Sequence, residues 1–386
     1  MVSHRPSGWN MVRWAMVGLS ILLGFLFTAC SGVATVPGTA ATGNPTSAAP
    51  ARATEKIAPV DTATPTLPPT ATFPPLPGPF QTSLLNALDT PHAYLKDTCR
   101  YLYDKWSSGN SAPGTVAMVV MFHIITDAAL TDPNQISEFN FRLLMKSLHQ
   151  NGFQAIDTRQ LDGFLEHNSR IPARSVLLVA DDKHAASYFD VLFRPYWTSY
   201  HWPVVNAWIS DALTTDELWQ QMEGLNAEGW VDYQAHGVVS DPITPASPDA
   251  YILSELNGPM EVFQAHFNKK PIAVIWPGGG FTRHAVVLAR QAGYRLGFTT
   301  NPRGPLMFNW VPLAEAGDPK RDSWIPEGPV DDPLMVLPRY WDTDAATHLQ
   351  EVIRIGLDAA AYAQANKTAE LEYYSLTCLP SLGAIP

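Results

Sequence analysis

The run Ser175-Val-Leu-Leu-Val-Ala-Asp181-Asp182-Lys183-His184 constrains this chain most. Val176 to Ala180 is aliphatic throughout with no polar alternation, so a strand formed there needs apolar partners on both faces. Sheets buried on both sides are the parallel sheets of α/β folds, whose functional residues gather at the carboxyl ends of the strands. The run therefore delivers two adjacent carboxylates to that edge. Like charges so close raise each other's pKa and are costly unless a metal, a cation or a proton-transfer role uses them. The plainer alternative is that the strand-end Asp caps the next helix and Asp182 is solvated.

Other strand ends carry comparable residues. Thr115 to Phe122 reads as a buried strand ending on His123, Trp230 to Ala235 as a strand ending on His236, and Pro271 to Trp276 as a strand leading into Pro277-Gly278-Gly279-Gly280. Leu334 to Leu337 reads as a further strand, followed by Arg339 and Trp341. Helical spacing is expected over 139–151, 161–167, 185–193, 215–229, 248–267 and 283–293, with strands at 153–156, 202–209 and 296–300. Ser83 to Trp106 reads as two short helices divided at Pro91. The alternation of strand and helix with short connections predicts a parallel sheet, and the number of units favours a (β/α) barrel. His123, Asp181, Asp182, His236 and the glycine loop then fall on one rim, the set a metal-assisted hydrolase requires. No Gly-x-Ser-x-Gly elbow or His-Glu-x-x-His helix competes for the chemistry.

The 386 residues divide into three parts. Residues 1–30 read as a lipoprotein signal peptide: Arg5 and Arg13 precede an apolar run too short for a comfortable membrane span, and Leu26-Phe27-Thr28-Ala29-Cys30 reads as a lipobox whose Cys30 is lipidated. Residues 31–80, dense in Pro, Thr, Ala and Gly, cannot bury enough apolar surface to offset chain entropy and are expected to be a disordered tether. Residues 81–386 suffice for one barrel-sized core. The expected location is exported and lipid-anchored on the extracytoplasmic face of a bacterial membrane, with the membrane engaged through the anchor alone. A formal net charge of -11 argues against nucleic acid or anionic lipid as a partner and suits a neutral or cationic polymer. Cys99 and Cys378 are either a disulfide, which export permits, or two separate buried thiols.

From about Val116 to Arg339 the sequence resembles the polysaccharide deacetylases of the NodB-homology type, carbohydrate esterase family four, and most of all the branch acting on poly-N-acetylglucosamine. The family's Thr-Phe-Asp-Asp-Gly strand end is matched by Val179-Ala180-Asp181-Asp182-Lys183, its His-Ser/Thr-x-x-His by His236-Gly237-Val238-Val239-Ser240, and its Pro-Tyr-Gly loop by Trp276-Pro277-Gly278-Gly279. Met121-Phe122-His123 is similar to the Tyr-His strand end of the poly-N-acetylglucosamine branch. The resemblance implies an α/β fold, a NodB-type (β/α) barrel that is irregular or seven-stranded. It further implies a divalent metal, zinc by expectation, held by Asp182 and His236, with Asp181 as general base and His123 as general acid. The reaction implied is removal of N-acetyl groups from an acetylated amino-sugar polymer, with Trp276, Pro277, Gly278, Gly279, Arg339 and Trp341 as substrate-binding candidates. Arg339 is alternatively an orienter of the base, and Trp310 and Trp324 are further stacking candidates.

Two positions depart from the pattern. Ser240 stands where the second histidine ligand belongs, and a serine hydroxyl is a poor ligand at neutral pH, which leaves water, Asp241 or His184 as substitutes. Lys183 replaces glycine, and its ammonium is expected to neutralise Asp181 or Asp182 in competition with metal. These changes keep a second expectation open, a degenerate polysaccharide-binding protein on the same fold.

Overall fold

The computed structural model describes residues 75–318 and 325–386. Cys30, most of the expected tether and Trp324 lie outside them. In chain order the strands are β1 (Asp89–His92), β2 (Val116–Phe122), β3 (Ile124–Thr126), β4 (Gln135–Ser137), β5 (Gln154–Ala155), β6 (Arg174–Asp181), β7 (Val204–Trp208), β8 (Val231–Ala235), β9 (Ala273–Ile275), β10 (Leu296–Phe298), β11 (Val311–Ala314) and β12 (Tyr340–Trp341). The α-helices are α1 (Thr98–Trp106), α2 (Glu138–Gln150), α3 (Thr158–His167), α4 (Ala186–Leu192), α5 (Arg194–Tyr200), α6 (Asp216–Glu228), α7 (Asp249–Phe267), α8 (Arg283–Ala292), α9 (Ala345–Tyr373) and α10 (Leu379–Leu382).

The apolar strands form one parallel sheet. β2, β6, β7, β8, β9 and β10 lie side by side in that order, β12 pairs with the free edge of β2, and β5 pairs with the start of β6. The register of β2 on β6 is continuous from Val116 opposite Arg174 to Phe122 opposite Ala180. Leu337 bridges to Phe298 at the end of β10, while Tyr340 and Trp341 align with Val120 and Met121 of β2. The short segment Leu337–Trp341 thus joins both edges, and the sheet curls into the irregular seven-stranded barrel of the NodB type that the sequence led us to expect. Along β2 the two faces feed different cores: Met118, Val120 and Phe122 enter one apolar cluster, Ala117 and Val119 the other. This is the physical content of a strand with no polar alternation.

Local chemistry sets the helix starts. Ser137, Asp157, Thr215 and Thr282 each accept a hydrogen bond from a backbone N–H in the first turn of α2, α3, α6 and α8. Asp157 and Gln160 complete a capping box.

Three local expectations are corrected. Pro91 does not divide two helices: it lies in β1, which pairs antiparallel with β11 and sets Pro91 opposite Pro312, and the single helix there starts after the Asp97 cap. A proline is tolerated on such a two-stranded edge because its missing N–H can face away from the partner. The Leu334–Leu337 strand is a 3₁₀ turn at Pro333–Met335, with strand pairing deferred to Leu337 and β12. The packed region also begins earlier than residue 81. Trp310 Nε1 donates to Phe80 O and the Tyr362 hydroxyl to Gly78 O, both at 2.9 Å or less. Cys99 and Cys378 form a disulfide that ties α1 to the C-terminal helical segment.

Candidate active site

Asp181 ends β6 and is 1% exposed, a position a carboxylate holds only with a partner. That partner is Arg339, itself fully buried, whose Nη1 lies 2.7 Å from Asp181 Oδ1 and 3.0 Å from Oδ2. Arg339 Nε donates to Thr299 O at 2.6 Å, which fixes the guanidinium to the end of β10. Burial pushes the Asp181 pKa up, but the charges of Arg339, His123 and His236 outweigh it and hold the carboxyl below the ordinary range. Asp181 is therefore an ionised carboxylate at neutral pH. Arg339 is thus the buried ion-pair partner of Asp181, and its full burial removes it from contact with a sugar.

His123 follows β2 and places Nε2 3.5 Å from Asp181 Oδ2. Its ring stacks on Trp341 with centroids 5.5 Å apart. Asp182 and His236 meet across the rim, with Nε2 3.8 Å from Oδ1. His236 Nδ1 donates to Ile275 O at 2.9 Å, so in the neutral imidazole the lone pair falls on Nε2, the nitrogen that faces the carboxylate. A backbone carbonyl on the other nitrogen is the usual support of a metal-binding imidazole.

The turn after β6 is held from several sides. Asp182 adopts φ 72°, a left-handed conformation that costs a non-glycine residue roughly 1 kcal/mol. Asn206, buried in β7, donates through Nδ2 to Ala180 O and Asp182 O, both at 2.9 Å, and His184 Nε2 donates to Asp181 O at 2.7 Å. The His236 turn is fixed likewise. Buried Glu255 accepts from Val238 N and Val239 N, and Gly237, at φ 74°, leaves no room for a Cβ, which would fall 2.2 Å from Glu255 Oε2.

Several sequence candidates sit elsewhere. Lys183 pairs with Asp211, Nζ to Oδ2 2.6 Å, and not with Asp181 or Asp182, which corrects the expected neutralisation. The His184 ring is bonded to its own turn and stacked on Tyr188, so it is not a substitute ligand. Among the described residues no group of three His, Cys, Asp or Glu side chains could together hold a metal, so Asp241 does not complete the Asp182–His236 pair. The Nε2 lone pair and the half-exposed carboxylate do fit a divalent ion as two of its ligands. Trp276 is fully buried with Nε1 donating to Met335 O, and Trp310 is buried far from this set beside Phe80, so neither is a stacking platform at the rim. In the glycine loop Pro277 and Gly279 are buried, and Gly278 is exposed.

Sequence reading missed Asn206, Asp211, Glu255 and Asp342. Asn206 carried a signal, as the one polar residue in Val204-Val-Asn-Ala-Trp208. Asp342 is 4% exposed, follows Trp341 and donates its N–H to Met121 O. Burial, with the charges of Asp344 and Asp181 adding, pushes its pKa to about 7. Among the described residues its Oδ2 has no hydrogen-bond partner.

Comparison with known proteins follows the same residues. Positions 169–297 match the family model for polysaccharide deacetylase, a segment that holds Asp181, Asp182, His236 and the glycine loop. The chain is 21% identical over 189 residues to YxkH of Bacillus subtilis, whose name assigns it to the polysaccharide deacetylases; the match covers 48% of this chain and 64% of YxkH. Among solved structures, the Streptococcus pyogenes deacetylase PplD in complex with acetate aligns with a TM-score of 0.48 at 18% identity, covering 63% of this chain and 99% of that one. A de-N-acetylase from Aggregatibacter actinomycetemcomitans aligns with a TM-score of 0.48 at 17% identity, covering 61% and 99%. Residues 169–297, where the acidic pair and His236 lie, are thus similar to the polysaccharide deacetylase family over about a third of the chain.

Proposed function

We propose that this protein removes N-acetyl groups from an acetylated amino-sugar polymer of the cell envelope or its surroundings, working at the end of a lipid-anchored tether. The observation that carries the reading is the joint presence on one rim of an ionised, buried Asp181 clamped by Arg339, His123 within 3.5 Å of it, and the facing pair Asp182–His236. Asp181, kept deprotonated by Arg339, accepts the proton of an attacking water; His123, held against Trp341, delivers a proton to the departing amine. Asp182 and His236 would hold a divalent cation, zinc by expectation, and the chemistry such an ion supplies is polarisation of the acetamide carbonyl and acidification of water. Acetate and a free amine result. Trp341, only partly buried beside His123, offers the pyranose an aromatic face.

The substitution at Ser240 favours one second reading. With two protein ligands where a catalytic zinc takes three, the groove on the same fold would bind the polymer without cleaving it. The two readings part in one experiment on the full-length chain: metal content, and release of acetate from N-acetylglucosamine oligomers. Catalysis requires turnover that Asp181→Asn abolishes with the fold intact, and that Ser240→His raises together with metal affinity. Oligomer binding with no acetate released by either wild type or Ser240→His overturns the hydrolase reading.

A further inference from the structure

Lys183 occupies the position after the acidic pair, where a side chain has no evident duty, and the expectation was that its charge would interfere. Its geometry says otherwise. The ammonium is turned away from Asp181 and Asp182 and bonded to Asp211 on the loop after β7, where Asp211 Oδ1 also accepts from Leu213 N and the Thr214 hydroxyl. Asp211 is thus held in a loop of its own making before Lys183 reaches it. Arg339 and His123 engage the Asp181 carboxylate, and the hydrogen bonds from Asn206 and His184 go to the backbone carbonyls of Ala180, Asp181 and Asp182. Beyond the left-handed residue, the His184 ring folds back onto Asp181 O, and Lys183 ties the turn to the separate loop after β7. Asp182 at φ 72° is therefore gripped before and after, and a non-glycine residue persists in that region where its surroundings over-determine it.

We infer that Lys183 and Asp211 are positioning residues: a side-chain latch between the β6 and β7 loops that holds the Asp182 carboxylate facing His236 Nε2, in place of the conformational role a glycine would play at 183. The inference rests on the assignment of Asp182 and His236 as a cation-binding pair and deepens it. It predicts the opposite sign from charge competition, in which removing the ammonium would free the acidic pair for metal.

The test is cobalt(II) titration of the full-length chain, followed by calorimetry and by the visible absorption of the bound ion, with amide hydrogen exchange of the 181–185 segment measured on the same samples. Lys183→Met and Asp211→Asn should each weaken cobalt binding about 10- to 100-fold, the range found for groups that orient metal ligands, while Lys183→Arg, which can still reach Asp211, restores it. Lys183→Gly, which relaxes the backbone but deletes the latch, should also bind more weakly than wild type. Equal or tighter binding in Lys183→Met or Lys183→Gly overturns the latch in favour of competition. The exchange measurement stands apart from the cation: amides of Asp182 to His184 should exchange faster in Lys183→Met and at the wild-type rate in Lys183→Arg. Wild type that binds no cobalt defeats the cation assignment alone, whereas unchanged exchange in Lys183→Met defeats the latch.

Discussion

Among the described residues Arg339 and Asp181 form the most deeply buried ion pair, each at most 1% exposed. Removing one partner of such a pair leaves a buried charge uncompensated, so Arg339→Met should destabilise the fold by about 3–5 kcal/mol in urea titrations, and much of that loss should vanish when Asp181→Asn is added. Two carboxylates on this rim titrate in opposite senses. Asp181 has a lowered pKa, so its stabilising contribution is present above the ordinary carboxylate range and is lost as pH falls through the lowered value. Asp342, raised to about 7, binds a proton more tightly folded than unfolded; its contribution is present below about pH 4 and is lost as pH rises through 7. Unfolding free energy measured from pH 4 to pH 8 should therefore decline less in Asp342→Asn than in wild type, by up to about 4 kcal/mol at the alkaline end. An equal decline in both proteins would contradict the raised pKa.

At the scale of elements, what the sequence made legible was whatever had a local cause. The β6 strand was readable because five aliphatic residues in a row admit few other fates, and α6 because Thr215 and Gly229 bracket it as caps. Helix α9 was not anticipated, although its buried residues Ala345, Leu349, Val352, Gly356, Ala359 and Ala363 recur at helical spacing; most of them are small, which weakens the apolar signal, and its place depends on a distant contact. Gly114, at φ 87°, meets α9 so closely that a Cβ would lie 2.4 Å from Gly356 O. Gly114→Ala should accordingly cost about 2–4 kcal/mol, read as a lower melting temperature, through both the left-handed backbone and the clash. Pro91 misled for the complementary reason: a proline signals the end of a helix more loudly than it signals an edge strand, and the partner that makes it a strand is more than 200 residues away.

For the whole molecule, the site was legible as a set of strand ends but not as a network. Asp181, Asp182, His123 and His236 could be placed on one rim because the parallel sheet puts all its carboxyl ends there. That Lys183 would turn to Asp211, that Trp276 would vanish into the core, and that Arg339 would be a buried counterion all depend on tertiary directions that spacing does not encode. The disulfide is the clearest long-range tie. It closes 279 residues of chain, and in the chain-entropy picture its loss should lower stability by up to about 5 kcal/mol, measurable as the difference in denaturation midpoint between the oxidised protein and the Cys99→Ala, Cys378→Ala double variant.

The closing segment Leu337–Trp341 has a consequence for synthesis. Chains emerge from the ribosome N-terminus first, so β2 through β10 are complete before the five residues that join their edges, and before Arg339, exist outside it. During that interval the nascent sheet has two open edges, and Asp181 has no counterion with which to be buried. Unpaired parallel edges are slow to settle and prone to intermolecular pairing. This barrel is thus a fold that a growing chain cannot complete piecemeal: its β2 and β10 edges find their partners only once residues 337–341 are available.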